Sequence, residues 1–577
     1  MTAGTIVRTL TVNDGTTVAV PENGVVLFVG PNNAGKSQVL RDISSLVTSR
    51  NDRGVVVSDA RVDYVGSVDE LLARLTEDRS IMSASGGAGK VKLGGAGTTQ
   101  DLSNVLSWWG GRSKEIVAGY FVLHADTESR LQASRPTNAL NLYEQDPTHA
   151  LHRLYLRRDL EVRLDAISRE AFDQGLILDV WAGGAQWALR VGEIDPPDSP
   201  RPDQAYLDAV QKLPLLHDQG DGVRSMIGLL LGIMTGHQTI SLVDEPEAFL
   251  HPPQARFLAK LLSEDAAALG RAVFLSTHSS EVVHGVLEGP APTTVVRLRR
   301  NGAHNEAAVL DNDAVRRLWS DPLLRYSNLL DGLFTDAVVI CESDADCKFF
   351  ASIRDTLALA ETETRRPDIL FTSCGGKHRL HVGVEALRAA SVPVAVIGDF
   401  DVLNDWTMLS RLISKAGGTL SEFEADWRVL NSALSSNSRT PSVAGMKEAV
   451  ITAFETVAEV TTKGLSPVRE ALKIENGWDR VKNSGLAGLP KGDAYNAAIR
   501  LLKRLRNIQI HLVAVGEMED FVPAAGGHGP AWLAEVLERR LHERSDGDAA
   551  RDFFKGVVDS IVVHEPPASA THSSTVG

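Results

Sequence analysis

Short, uninterrupted apolar runs alternate along this chain with longer stretches of helical periodicity. The run Val25-Val26-Leu27-Phe28-Val29 holds no polar position, the pattern of a strand covered on both faces. A glycine-rich loop follows it. Then Val39, Ile43 and Leu46 recur on one helical face. Similar runs at 239–243, 272–275, 293–298, 337–341, 369–371, 392–397 and 508–515 predict further buried strands, with helical spacing between several of them. That alternation predicts an α/β protein. Residues 101–175 read as mainly helical, with Leu156, Leu160, Leu164 and Ile167 on one face of one helix. Residues 176–193 read as a strand pair. The Gly/Ala/Thr-rich stretch 83–99 and the Pro-rich stretch 195–202 read as loops, the first of them mobile. The Ser/Thr/Pro/Ala-rich segment 566–577 reads as a disordered tail. No internal repeat or heptad array is apparent.

Composition narrows the class without fixing it. The 577 residues have room for two to four domains at roughly 100–200 residues each. Apolar and charged fractions of 43% and 23% are ordinary for a globular protein. A net charge of −15 excludes a global basic field, so any nucleic-acid contact must use local patches. Three cysteines, Cys341, Cys347 and Cys374, make neither a disulfide framework nor a zinc pattern and point to a reducing compartment. The N-terminus lacks the pattern of a signal peptide, and the longest apolar run, 226–234, is too short to span a bilayer. The expectation is a cytoplasmic protein without a membrane partner.

The loop after the first strand is Gly30-Pro31-Asn32-Asn33-Ala34-Gly35-Lys36-Ser37, with the spacing G-x-x-x-x-G-K-S. Such a loop turns backbone N–H groups inward around phosphates, and the following helix N-terminus adds partial positive charge. Lys36 is placed to reach the β/γ-phosphates of a nucleotide, and the Ser37 hydroxyl to hold Mg²⁺. The strand at 239–243 ends in Asp244 and Glu245, suited to holding Mg²⁺ and polarising an attacking water respectively. The segment continues Pro246-Glu247 to Leu250-His251-Pro252, and the strand 272–275 ends in Ser276-Thr277-His278-Ser279. His278 is a candidate γ-phosphate contact. Gly220-Asp221-Gly222-Val223-Arg224-Ser225 opens the helix that holds 226–234.

In this order the motifs resemble the ABC-type ATPases related to SMC proteins, especially the compact class called AAA15. The resemblance implies ATP as the nucleotide and a dimer of ATPase heads. Gly222 and Ser225 would then complete the partner's nucleotide site, alongside Gly30, Asn33, Gly35, Lys36, Ser37, Asp244, Glu245 and His278. The segment between Gly30 and Asp244 is too short and irregular for a long coiled coil.

A second constellation begins at the strand 337–341. Glu342 stands at its end, with Asp344 and Asp346 just beyond. Ser373-Cys374-Gly375-Gly376-Lys377 follows 369–371, and a helix is expected over roughly 378–390. The strand at 392–397 ends Gly398-Asp399-Phe400-Asp401. Functional groups gather at the carboxyl ends of parallel strands, which would unite Glu342, Asp399 and Asp401. Hard carboxylates without histidine or thiolate favour Mg²⁺ or Mn²⁺. Asp344 reads as solvated. Residues 508–515 form another strand, followed by Gly516-Glu517-Met518-Glu519-Asp520.

This order resembles a Toprim domain. Together with the first half it resembles the OLD-family nucleases, which join an ABC-type ATPase to a C-terminal Toprim module and include the antiphage Gabija nuclease subunit. The implied layout is an ATPase domain at 1–300 with a largely helical insert at about 100–175. A connector at 301–334 and a Toprim domain at 335–565 with a helical insert at about 403–507 follow. The resemblance makes Glu342, Asp346, Asp399, Asp401 and Glu519 metal ligands or supporting acids, with Lys555 as the later lysine. Ser343 stands where the family has glycine, and Glu517 where it has a small hydroxyl residue. One metal is expected near Asp399 and Asp401, and another near Glu342, Asp346 and Glu519. Arg500, Lys503, Arg504 and Arg506, with Lys377, are the basic candidates for a nucleic-acid backbone, DNA favoured over RNA. The implied activity is nucleotide-gated, metal-dependent phosphodiester cleavage in antiphage defence or DNA processing. A helicase-like or other defence protein is a possible partner. The alternatives are a clamp or sensor with a non-catalytic Toprim module, and a topoisomerase- or primase-type enzyme. For the last, neither a zinc module nor an identifiable nucleophilic tyrosine is seen.

Overall fold

A computed structural model describes residues 3–49, 52–84, 87–93, 99–181, 186–195, 202–302, 304–320, 328–360, 367–436, 442–457, 460–461, 464–472 and 477–563. The tail at 566–577 and most of the Pro-rich stretch at 195–202 lie outside the described residues. The chain forms two compact units, Met1–Arg325 and Tyr326–Gly577.

The first unit is built on a six-stranded sheet. Its order is His304–Leu310, Thr293–Asn301, Val25–Val29, Ala272–Ser276, Ile240–Asp244 and Val122–Ala125. All neighbours are parallel except the hairpin at the His304–Leu310 edge. Every residue of Val25–Val29 is buried, as an all-apolar strand between two layers should be. Phe28, Leu242, Phe274 and Val296 pack with Val39, Leu40 and Ile43 of the helix Lys36–Thr48. Asp244 pairs in register with Ser276, and Ser276 with Phe28, so the two acids, the Ser276 turn and the phosphate loop share one edge. A separate antiparallel sheet joins Thr17–Ala19, Gly4–Val12 and Val57–Val65.

Residues 101–175 are mainly helical but also contain the strand Val122–Ala125, which pairs with Ile240–Asp244. Two expectations for this unit are corrected. The expected helix through Leu156 and Ile167 is two helices, Ala150–Leu156 and Arg158–Phe172; Leu164 and Ile167 are buried, whereas Leu156 is exposed. Within 83–99, the described residues are not a plain loop. Ile81–Ala84, Gly87–Lys92 and Thr99–Asp101 form a small antiparallel sheet, with Val91 buried against Leu71, Leu75 and Trp109. One apolar side chain at the right register anchors a segment that its composition marks as a loop.

The second unit holds a four-stranded, all-parallel sheet in the order Ile369–Ser373, Ala337–Cys341, Val394–Gly398, Ile510–Leu512. The last strand is shorter than the apolar run 508–515, because Gln509 enters it with φ +64° and pairing ends at Leu512. Phe349 and Phe350 on the helix Asp344–Ala360 pack against Trp532 and Phe554, with ring centroids 5.0 Å apart for Phe349–Trp532 and 6.0 Å for Phe350–Phe554. Between the third and fourth strands the chain makes a series of helices, among them Trp406–Lys415, Ser421–Ser436 and Asp493–Asn507. The two central strands, Ala337–Cys341 and Val394–Gly398, end directly in Glu342 and Asp399. No helix among the described residues is long and apolar enough to cross a membrane.

Candidate functional site

The phosphate loop is shaped by close backbone approach. A Cβ on Gly30 would lie 2.1 Å from the Leu298 carbonyl oxygen, and Gly30 has φ +140°. Gly35 closes the loop with φ +91° and caps the helix Lys36–Thr48, where Asn305 Nδ2 donates to the Ala34 carbonyl at 2.7 Å. Lys36 is 4% exposed, and its ammonium donates to the Gly30 and Pro31 carbonyls at 2.7 and 2.9 Å. Burial pushes its pKa down to about 8, against the opposing pull of Glu245, Glu247 and Asp244. The loop borders a cavity of about 420 Å³ lined by Asn33, Gly35, Lys36, Ser37, Glu245 and His278, with Arg300 also on its wall.

The acidic strand end meets this loop directly. Ser37 Oγ donates to Asp244 Oδ1 at 2.9 Å, and Ser276 also donates to that oxygen. Glu245 adopts φ +46°, a conformation that non-glycine residues rarely hold. His278 Nε2 lies 3.4 Å from Glu245 Oε1. Two residues to which the sequence reading gave no role keep the arrangement. Arg130, 1% exposed, donates to the Asp244 and Glu245 carbonyls at 3.0 and 3.1 Å. Glu247 accepts from the Thr277 hydroxyl at 2.8 Å and the His278 N–H at 2.7 Å, so it ties the histidine turn to the acidic turn. Gly222 lies in the first turn of the helix Asp221–Thr235, close to the Phe249 carbonyl, while the Ser225 side chain is buried.

In the second unit, the strand ends place a group of carboxylates together. Glu342 Oε1 accepts from the Asp399 N–H at 2.8 Å, and Asp399 Oδ1 accepts from the Met518 N–H at 3.2 Å. These bonds bring the three acidic segments to one point. Asp401 lies against Lys377, with Nζ–Oδ2 2.7 Å, while its buried Oδ1 has no hydrogen-bond partner. Asp346 accepts from the Ser343 hydroxyl at 2.8 Å and N–H at 3.0 Å. Ser343 is not among the described residues with positive φ, so this turn does not require the missing glycine. Asp344 is exposed and paired with Lys348 at 2.7 Å.

The acids disturb one another. Burial raises the Glu342 pKa to about 7, with the charges of Asp401 and Asp346 adding to it. Burial also pushes Asp399 well above the usual carboxylate range, and Glu342, Asp346, Asp401 and Glu517 reinforce the shift. Asp346 is raised by burial and by Glu519. Burial, with the like charges added to it, disfavours joint ionisation of these acids, a penalty that a bound cation would relieve. Sequence reading left Glu517 without a role. It belongs to this group, with Lys482 Nζ at 2.9 Å. Lys482 and His528 were not foreseen.

The basic cluster is corrected. Arg500 and Arg504 both grip Asp426, at 2.5 and 2.6 Å, and so fasten Asp493–Asn507 to Ser421–Ser436. The cations sit on one helix and their partner on another 74 residues earlier, a pairing that no local pattern announces. Lys503 and Arg506 on the same helix are exposed, as is Lys555 on Asp548–Val563.

One family model matches within the first unit. Residues 208–284 match the AAA_21 family model, described as an AAA domain, putative AbiEii toxin, Type IV TA system. No curated protein matches the chain. Among solved structures, the SMC head domain from Thermotoga maritima is 13% identical, with a TM-score of 0.27 over 54% of this chain and 100% of that one. A Pyrococcus furiosus Smc head domain bound to the C-terminal domain of ScpA is 10% identical, with a TM-score of 0.28 over 54% of this chain and 98% of that one. CbiO1 from Clostridium perfringens, part of an ABC transporter complex, is 12% identical, with a TM-score of 0.24 over 49% of this chain and 76% of that one. The segment 208–284 carries the Asp244–Glu245 strand end and the Ser276–His278 turn described above, and the chain contains an AAA-type ATPase domain.

Proposed function

We propose that the second unit is a Toprim-type, divalent-metal-dependent nuclease, regulated by the ATPase of the first unit in the manner of an OLD-family enzyme. The observation that carries this reading is the meeting of Glu342, Asp399 and Asp401 at adjacent parallel strand ends, with Asp346, Glu517 and Glu519 around them. The donor set fits Mg²⁺ or Mn²⁺: hard oxygens, raised pKa values, and a buried Asp401 oxygen that no protein group satisfies. Glu342, Asp346, Asp399, Asp401 and Glu519 would hold the ions. When bound, divalent ions would polarise the scissile phosphate and lower the pKa of an attacking water. Lys377, 26% exposed and 2.7 Å from Asp401, is placed to stabilise phosphate charge at the edge of the site. Lys503, Arg506 and Lys555 are the remaining exposed cations proposed for the backbone, DNA before RNA.

In the first unit, Lys36 and the loop N–H groups would bind the ATP phosphates, Ser37 and Asp244 would hold Mg²⁺, and Glu245 would orient water. Two heads would close on ATP, with Gly222 near the partner's nucleotide; the Ser225 side chain, expected there, is buried within its own head. A ligand that prefers the closed arrangement can then gate cleavage. The description of the matched family as a putative toxin supports a role in defence.

One observation favours a second reading. Lys377 and Lys482 already neutralise part of the cluster, as they would in a non-catalytic module that senses or clamps nucleic acid. Incubation of the purified protein with supercoiled plasmid, linear DNA and RNA, with Mg²⁺ or Mn²⁺ and with or without ATP, separates the two. Metal-dependent cleavage supports the nuclease, and its absence under every condition supports the clamp.

A further inference from the structure

A cavity of about 640 Å³ in the second unit is lined by none of the acids of the metal cluster. It lies between the strand Ile510–Leu512, the end of the helix Asp493–Asn507 and the helix Asp548–Val563. Its size is that of a small-molecule site. Val515, Phe521 and Phe553 give it apolar walls, the two rings 5.4 Å apart. Arg506, Asp552 and Asp559, all exposed, stand at its mouth. His511 is the most deeply buried polar residue of the lining, 2% exposed.

The hydrogen bonds around His511 decide which nitrogen carries its proton. Ser560 Oγ lies 3.0 Å from His511 Nε2, 2.9 Å from Gln509 Oε1 and 2.7 Å from the Val557 carbonyl oxygen. Gln509 Nε2 donates to the Ser560 carbonyl at 2.9 Å, which sets the amide with its oxygen toward the hydroxyl. The Gln509 and Val557 oxygens only accept, so they take the single hydroxyl proton of Ser560. Ser560 then has only a lone pair left for the imidazole, and Nε2 must donate. Burial and the charge of Arg506 push the His511 pKa down to about 3, so the ring stays neutral and Nδ1 is an acceptor. That nitrogen has no hydrogen-bond partner among the described residues. A second observation concerns width. Ala549, Phe553, Gly556 and Ser560 line the cavity at the spacing of one helical face. A Cβ on Gly556 would meet no atom within 4 Å. Glycine weakens a helix interior relative to alanine, and no close approach here requires it.

We infer that this cavity binds a small, uncharged heteroaromatic ring bearing an N–H group, which packs on Phe521 and Phe553 and donates to His511 Nδ1. Aromatic walls favour a flat ligand. A buried acceptor penalises any occupant that brings no donor. Two carboxylates against one guanidinium at the mouth select against phosphorylated and other anionic ligands. The site stands whether or not the second unit cuts nucleic acid.

The test is ligand-observed NMR on the full chain with indole and benzimidazole, each against its N-methyl analogue, for wild type and Gly556→Leu. A non-hydrolysable ATP analogue is present to occupy the nucleotide pocket of the first unit. Leucine is a better helix former than glycine and its side chain would fill the cavity, so the variant should fold at least as well as wild type, which thermal melting checks. The expected result is saturable binding of the N–H rings to wild type and its loss in Gly556→Leu. The N-methyl rings should bind wild type at least fivefold more weakly, because they leave the acceptor unpaired. Equal binding of the N-methyl rings, undiminished binding by Gly556→Leu, or no saturable binding to wild type each overturns the inference.

Discussion

Replacing Arg130 with Met tests how the hydrolytic geometry of the first unit is held. The side chain is almost wholly buried, and it donates to two successive carbonyls, those of Asp244 and Glu245, at 3.0 and 3.1 Å. Met fills similar volume but donates nothing. Hydrogen bonds from a charged group contribute about 1.5–3 kcal/mol each. Burial lowers the arginine's pKa and so offsets part of this. The net loss is then on the order of 3 kcal/mol. Glu245 holds φ +46°, a strain of about 1–2 kcal/mol that relaxes once its carbonyl is released. A preference of about 2 kcal/mol for the relaxed turn leaves roughly one molecule in thirty competent, since 1.4 kcal/mol is a factor of ten. Phosphate release at saturating ATP and Mg²⁺ should fall about thirtyfold. Affinity for a fluorescent nucleotide should change less than threefold, because Lys36 and the loop N–H groups are untouched. The melting temperature should drop by about 5 °C or more. Hydrolysis within threefold of wild type, at an unchanged melting temperature, would refute the claim that Arg130 holds the acidic turn.

Further outcomes follow from the same geometry. Lys36→Ala should reduce ATP binding or turnover at least tenfold, read by nucleotide titration, without altering the carboxylate cluster of the second unit. Glu247→Gln keeps the shape but weakens the acceptor shared by Thr277 and His278, so ATP turnover should fall severalfold in a steady-state assay. The pH dependence has a definite sign. The folded protein raises Glu342 from 4.5 to about 7, so it binds that proton more tightly than the unfolded chain does. The associated stability is present below pH 4.5 and is lost as pH rises through 7. Melting of chelator-treated protein should therefore occur at progressively lower temperature across that window. Added Mg²⁺ or Mn²⁺ should raise the melting temperature more at pH 8 than at pH 5.5; a larger rise at pH 5.5 would be inconsistent with ionised carboxylates as ligands.

Much of the α/β framework was legible because its central strands are short and largely apolar. Val25–Val29, Ile240–Asp244, Ala337–Cys341 and Val394–Gly398 announce themselves by composition, and the acids at their ends by contrast. Val122–Ala125 did not. It is a four-residue edge strand containing His124, set in helical surroundings, and its membership is decided by pairing with residues more than a hundred positions later. Arg130 was illegible for a related reason. An arginine on a helix is usually solvated, and partners that are backbone carbonyls leave no trace in side-chain identity. Arg500 and Arg504 show the reverse error: a run of cations read as a surface patch is partly consumed by Asp426. His528 follows the acidic motif after a glycine-rich turn, and only the fold returns it to Glu517 and Glu519.

The central claim, that the carboxylates of the second unit cut nucleic acid with bound divalent ions, is tested most directly by comparing wild type with Glu342→Gln and with the Asp399→Asn, Asp401→Asn pair. The assay is plasmid and oligonucleotide cleavage in Mg²⁺ or Mn²⁺, with ATP hydrolysis measured on the same preparations. Metal-dependent cutting by wild type, lost at least a hundredfold in both variants while ATP hydrolysis persists, is the predicted result. Undiminished cutting by the variants would contradict it.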